Sequence, residues 1–120
     1  STIFAASYKI KSNSNVIVYD HTTQAQLAIL PQSQGVIALA ISPDSQLLAV
    51  ADTTGIIVLW DINTRRIREH LMCPILQTDI AERYYGKTYP DSWEPRLIFS
   101  RDGNRLSVHS LFGVTVWTLA

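Results

Sequence analysis

Val36-Ile37-Ala38-Leu39-Ala40-Ile41 runs into Ser42-Pro43-Asp44-Ser45-Gln46, then Leu47-Leu48-Ala49-Val50-Ala51, then Asp52-Thr53-Thr54-Gly55, then Ile56-Ile57-Val58-Leu59-Trp60-Asp61. Three short runs of apolar and β-branched residues are separated by clusters of the residues that favour turns. The first run is almost wholly apolar, as in a strand buried on both faces. After Asp61, the segment from Arg65 to His70 alternates charged and apolar residues (Arg66, Ile67, Arg68), which predicts a half-exposed outer strand. The unit therefore reads as four strands, ordered from apolar and inner to polar and outer.

The unit repeats. Val16-Ile17-Val18-Tyr19-Asp20 precedes Ile57-Val58-Leu59-Trp60-Asp61 by 41 residues, and the same offset pairs Leu30 with Leu71. Val114-Thr115-Val116-Trp117-Thr118 lies 57 residues beyond the middle copy. Upstream of it, Phe99-Ser100-Arg101-Asp102-Gly103 matches Ile41-Ser42-Pro43-Asp44-Ser45. The longer second interval is an insertion between Leu71 and Pro95. Self-similarity at a period near 40 is the mark of a repeat architecture. Strand counting gives roughly three, four and three strands, with Ile3 to Tyr8 as the second strand of its unit and Val114 to Leu119 as the third strand of the last.

The run from Ile41 through Gly55 to Leu59-Trp60-Asp61 resembles a WD repeat of the β-propeller class. The likeness covers nearly the whole chain apart from the insertion and is strongest in the middle unit. Tyr19-Asp20 replaces Trp-Asp in the first unit, and Trp117-Thr118 keeps only the Trp in the third. The resemblance implies an all-β fold of four-stranded antiparallel blades in an incomplete ring of about three. Residues 1–30 form a partial blade, 31–71 a full blade, 72–94 a loop insertion and 95–120 a partial blade. Tyr19, Asp20, Trp60, Asp61 and Trp117 are then the structural repeat residues: the aromatic supplies contact between blades, and the Asp serves the turn to the outer strand. The family's loop His is missing, its place falling near Gln32, and its Ser/Thr position is about Val50. Stability must lean on packing.

Propellers need about 4–8 blades to close. Three blades leave apolar faces open, so the chain is expected either to belong to a longer propeller or to close a ring with further copies of itself. The opening Ser1-Thr2-Ile3-Phe4 reads as a chain already inside a strand.

Composition narrows the function. The 120 residues are 47% hydrophobic and 17% charged, with ten Lys+Arg against ten Asp+Glu, so the chain is a packed domain and not a disordered tail. Zero net charge argues against non-specific binding to nucleic acid or an anionic membrane. Cys73 is the single cysteine, which excludes a disulfide framework and points to a reducing, cytoplasmic setting. No apolar run approaches a membrane span.

The insertion from Met72 to Glu94 is the leading candidate for function. It carries Arg83, Tyr84, Tyr85, Tyr89 and Trp93, residue types enriched in binding hot spots, and in the WD-repeat family such loops lie on a face where partners dock. The competing reading has these aromatics fold back to cap the propeller. Arg65, Arg66 and Arg68 form a second cluster, either a site for an anionic ligand or nucleic acid or a charged edge that blunts aggregation. Catalysis finds no foothold: His21, His70 and His109 are scattered, no Gly-x-Ser-x-Gly surrounds Ser107 or Ser110, and no Gly-rich phosphate loop is present. No metal site and no cofactor are expected. The expected role is a non-enzymatic protein–protein interaction scaffold within a larger regulatory or signalling protein, with a purely structural self-assembling unit as the alternative.

Overall fold

A computed structural model describes residues 3–10, 13–20, 23–32, 36–78, 95–110 and 112–119. These residues form strands β1 (Ile3–Ile10), β2 (Asn13–Asp20), β3 (Gln26–Gln32), β4 (Val36–Ile41), β5 (Leu47–Asp52), β6 (Ile56–Asp61), β7 (Arg66–Met72), β8 (Arg96–Phe99), β9 (Arg105–Ser110) and β10 (Gly113–Thr118). They build three antiparallel sheets in chain order: β1-β2-β3, β4-β5-β6-β7 and β8-β9-β10. The fold is all-β, and the strand counts agree with the sequence.

The middle sheet lies between the other two because its strands are apolar on both sides. Leu48, Val50, Val58 and Trp60 point one way and pack with Val16, Val18 and Leu30 of the first sheet. Ala49, Ala51, Ile57, Leu59 and Leu71 point the other way and pack with Leu97, Leu106 and Val108 of the third. Successive residues of a strand face opposite sides, so a continuous apolar run is what a doubly covered strand requires.

The turns repeat as closely as the strands. Ser42 Oγ donates to Asp44 Oδ1 at 2.6 Å and accepts from the Leu47 amide at 2.9 Å, while Asp44 accepts the Gln46 amide at 3.0 Å. In the third sheet Ser100 Oγ donates to Asp102 at 2.6 Å and accepts from the Arg105 amide at 3.0 Å, and Asp102 takes the Asn104 amide at 2.9 Å. The residue needing positive φ is Ser45 in one turn and Gly103 in the other, at 62° and 75°. Asp20 and Asp61 likewise cap equivalent turns, accepting the Thr23 and Thr64 amides at 3.0 Å each. Gln24 and Arg65, 41 residues apart, share a φ of 59°.

Two features depart from the expected pattern. β7 is not half-buried: every residue from Arg66 to His70 is exposed, Ile67 included, because no described residues cover its outward side. The insertion does not begin as a loop. Residues 74–78 form a short helix, with proline at its first position, where the absent N–H costs nothing. Cys73 and Leu76 are fully buried between the second and third sheets. The helix closes over the Asp52–Gly55 turn, with the Cys73 amide donating to the Gly55 carbonyl at 3.2 Å.

Candidate functional site

Repeat-equivalent residues of the three sheets have different surroundings. Val16, Ile57 and Val114 are equivalent, as are Val18, Leu59 and Val116. The first two of each set are at most 2% exposed, whereas Val114 and Val116 are 57% and 55% exposed. Val16 and Val18 lie under the second sheet and Ile57 and Leu59 under the third, but no described residues lie over the third sheet. Its open face carries Ile98, Val114 and Val116. At the other end of the stack, Leu27 and Ile29 of β3 are exposed.

Trp60 is buried and faces the first sheet, and Trp117, half-buried, faces the second. The aromatics of the second and third repeats thus turn toward the sheet before them. By the same rule Tyr19 belongs to the face of the first sheet that turns away from the second.

A groove of about 190 Å³ opens between the second and third sheets. Asp44, Gln46, Leu47, Leu59, Arg68 and Glu69 line one wall, and residues 102–104 and Leu119 the other. Asp44, Glu69 and Asp102 thus share the lining of the groove with Arg68. The Ser42 hydroxyl, then the Gln46 amide, holds the Asp44 carboxyl below its ordinary pKa, and Ser100 and Asn104 do the same for Asp102. Both stay ionised at neutral pH, because the charged form accepts these hydrogen bonds.

The arginines diverge. Arg65 Nη2 donates to the Leu27 carbonyl at 2.7 Å, linking the second sheet to the first. Arg66 is exposed opposite Asp61, and Arg68 lines the groove on the other side. Arg83, Tyr84, Tyr85, Tyr89 and Trp93 lie outside the described residues, as does His21. Ser107 Oγ approaches His109 Nε2 at 3.2 Å on the open face of the third sheet, and donates to the Ile98 carbonyl at 3.3 Å. A serine whose one proton goes to a backbone carbonyl is not poised to pass it to the imidazole. Among the described residues no group of three or more His, Cys, Asp or Glu side chains is placed to hold a metal, and no helix is long and apolar enough to cross a membrane.

Sequence reading had pointed to the insertion and to the arginines. The count of three blades had also anticipated open apolar faces at the ends of the stack, and the structure places one of them at Ile98, Val114 and Val116; the groove was not foreseen. A scan against protein-family models finds no match to the chain, and neither does a search of curated proteins.

Proposed function

We propose that the chain is a segment of a WD-repeat β-propeller, about three blades of an incomplete ring, and that it works as a non-enzymatic protein–protein interaction scaffold within a larger regulatory or signalling protein. The observation that carries this reading is the exposure of Val114 and Val116 at positions whose equivalents in the other two sheets are buried by a neighbouring sheet. An apolar face of this construction is stable in water when protein covers it. The stacking of the sheets in chain order, with Trp60 and Trp117 each turned toward the preceding sheet, supports the propeller assignment. The aromatic insertion, with Arg83, Tyr84, Tyr85, Tyr89 and Trp93, remains the place on such a scaffold where a partner would dock, and a single buried cysteine fits a cytoplasmic setting.

A second reading is favoured by one further feature. The open face of the third sheet is equivalent to faces that receive a following sheet, and the open face of the first is equivalent to faces that receive a preceding one. The chain thus carries both halves of one interface and could close a ring with copies of itself, head to tail.

Light scattering on a sizing column tests both. A discrete multiple of the 13.4 kDa chain, reduced to monomer by Val114→Asp with Val116→Asp, would favour self-closure. A monomer that binds an apolar dye, and loses that binding on the same substitutions, would favour a face awaiting other protein. A monomer that binds no dye would overturn the scaffold reading.

A further inference from the structure

Positive charge is unevenly spread along the chain. Three of its ten Lys+Arg residues fall within residues 65–68, in a molecule of no net charge. Arg68 turns to the groove between the second and third sheets, and Arg65 turns the other way, to the first sheet. The backbone of Arg65 is held in the left-handed region, at a φ of 59°, with its amide donating to the Asp61 carbonyl at 2.9 Å. Its side chain is held by the Leu27 carbonyl at 2.7 Å. That bond uses one of the guanidinium's five N–H donors. Arg65 is thus an exposed cation already fixed in place, so an anion that meets it has little left to order.

Two half-exposed aliphatic side chains accompany it. Ile67 sits opposite Trp60 in the sheet register, and residues directly opposite share a face. Trp60 packs against the first sheet, so Ile67 lies on that same face but nearer the rim, where it is 46% exposed. Leu27, whose carbonyl Arg65 holds, is 41% exposed. Arg66, also exposed, lies between Arg65 and Ile67 in the chain. The carboxylates of the two neighbouring turns, Asp20 and Asp61, accept the Thr23 and Thr64 amides. Backbone addition is discouraged here. Leu27 is the unpaired residue of a bulge in β3, its carbonyl is taken, and Pro31 follows on the same strand; bulges and prolines blunt an edge. Recognition at this seam therefore falls to side chains. Both sheets that form it are described, so its character is independent of what covers the open faces at the ends of the stack.

We infer that the seam between β3 and the start of β7 is a docking site for an acidic segment of a partner protein, one that offers carboxylates to Arg65 and Arg66 and an aliphatic side chain to Leu27 and Ile67. A guanidinium pairs with a carboxylate through two parallel hydrogen bonds, and apolar contact beside the pair excludes water that would weaken it. This deepens the scaffold reading, on which it rests, by giving the chemistry of a partner.

The probe is a labelled, end-blocked peptide of sequence Glu-Asp-Leu-Asp-Glu, titrated into the full 120-residue protein and read by anisotropy and by amide chemical shifts. Saturable binding on roughly the millimolar scale is expected of one short motif at low salt. The shifts should centre on Leu27 and residues 65–67, and binding should fade near about 0.5 M salt as the screening length shortens. Arg66→Glu should weaken binding about five-fold, since a pair is lost and a repulsion gained, and Ile67→Ser a few-fold. Both side chains are exposed, so the urea midpoint should stay unchanged. Absence of shifts at these amides at about 5 mM peptide would overturn the inference. So would equal binding of a peptide with Lys at its acidic positions, or of one with Ser in place of Leu, which would leave a bare anion contact. Hydroxyl-radical labelling of the free protein should modify Leu27 and Ile67 readily; their silence would mean that the seam is already covered, and would sink the proposal. A short DNA duplex that shifts the same amides more strongly would assign the cations to nucleic acid instead. The mass and dye-binding test at Val114 and Val116 is read separately, so failure here and failure of the scaffold reading are distinguishable.

Discussion

Val18→Ala and Val116→Ala are the same chemical change at repeat-equivalent positions, and the structure assigns them different costs. Each removes two carbons' worth of apolar side chain. At about 0.8 kcal/mol per buried CH₂ the transfer loss is about 1.6 kcal/mol where burial is complete, and a residual cavity raises this toward about 2 kcal/mol. Val18 is fully buried between the first and second sheets, so it should show that full cost. Val116 is 55% exposed, so less than half of its transfer loss is at stake, and no enclosed cavity forms. Its cost in dilute solution should stay below about 0.8 kcal/mol. Urea unfolding followed by tryptophan fluorescence reads both midpoints at unchanged slope. Raising the protein concentration adds a second arm. If another copy covers the open face, the cost of Val116→Ala should climb toward that of Val18→Ala and the unfolding midpoint should become concentration-dependent. Equal costs in dilute monomer would refute the reasoning, because the stacking order of the sheets would then be wrong.

Other consequences are open to simpler tests. Gly55 has a φ of +81°, and a Cβ there would overlap Cγ of Gln77 and lie 3.2 Å from its backbone; Gly55→Ala should cost about 1–3 kcal/mol in a denaturant melt, and adding Gln77→Ala should recover only part of it. Asp44 and Asp102 are held below the ordinary carboxyl pKa of 3.8, chiefly by Ser42 and Ser100. The folded state therefore binds these protons less readily than the unfolded one, so the stabilisation is complete above that value and fades as the pH falls through the lowered folded pKa values. Unfolding midpoints measured across this range should fall more steeply for the wild type than for Ser42→Ala with Ser100→Ala. Cys73 is fully buried and should be silent to a thiol reagent in the native state, reacting at the rate of global opening; prompt labelling would mean that the helix of residues 74–78 does not seal it.

How much of this was legible in the residues depends on how local each feature is. The turn at Ser42-Pro43-Asp44 could be read because the hydroxyl, carboxylate and amides that close it lie within five residues of one another. Strands with period-2 or wholly apolar patterns could be read for the same reason, so the three, four and three strands and their antiparallel pairing were accessible. The burial of Leu76 and Cys73 was not, since it depends on the third sheet arriving against the second from beyond the insertion. Ile67 was misjudged for the converse reason: its alternation with Arg66 and Arg68 promises a covered side, and no described residues cover it. The aromatic insertion residues, on which the sequence reading placed the partner, fall outside the described residues, so the structure redirects attention to β10. There the pattern is the more informative for being ordinary. Val16, Ile57 and Val114 obey one local rule, and so do Val18, Leu59 and Val116; a chain has no local means of writing that one copy will stay exposed. Burial is decided by the neighbour, and among the described residues two of the three copies have one. The exposure of Val114 and Val116 is therefore a property of where the third sheet stands in the stack and not of its own residues.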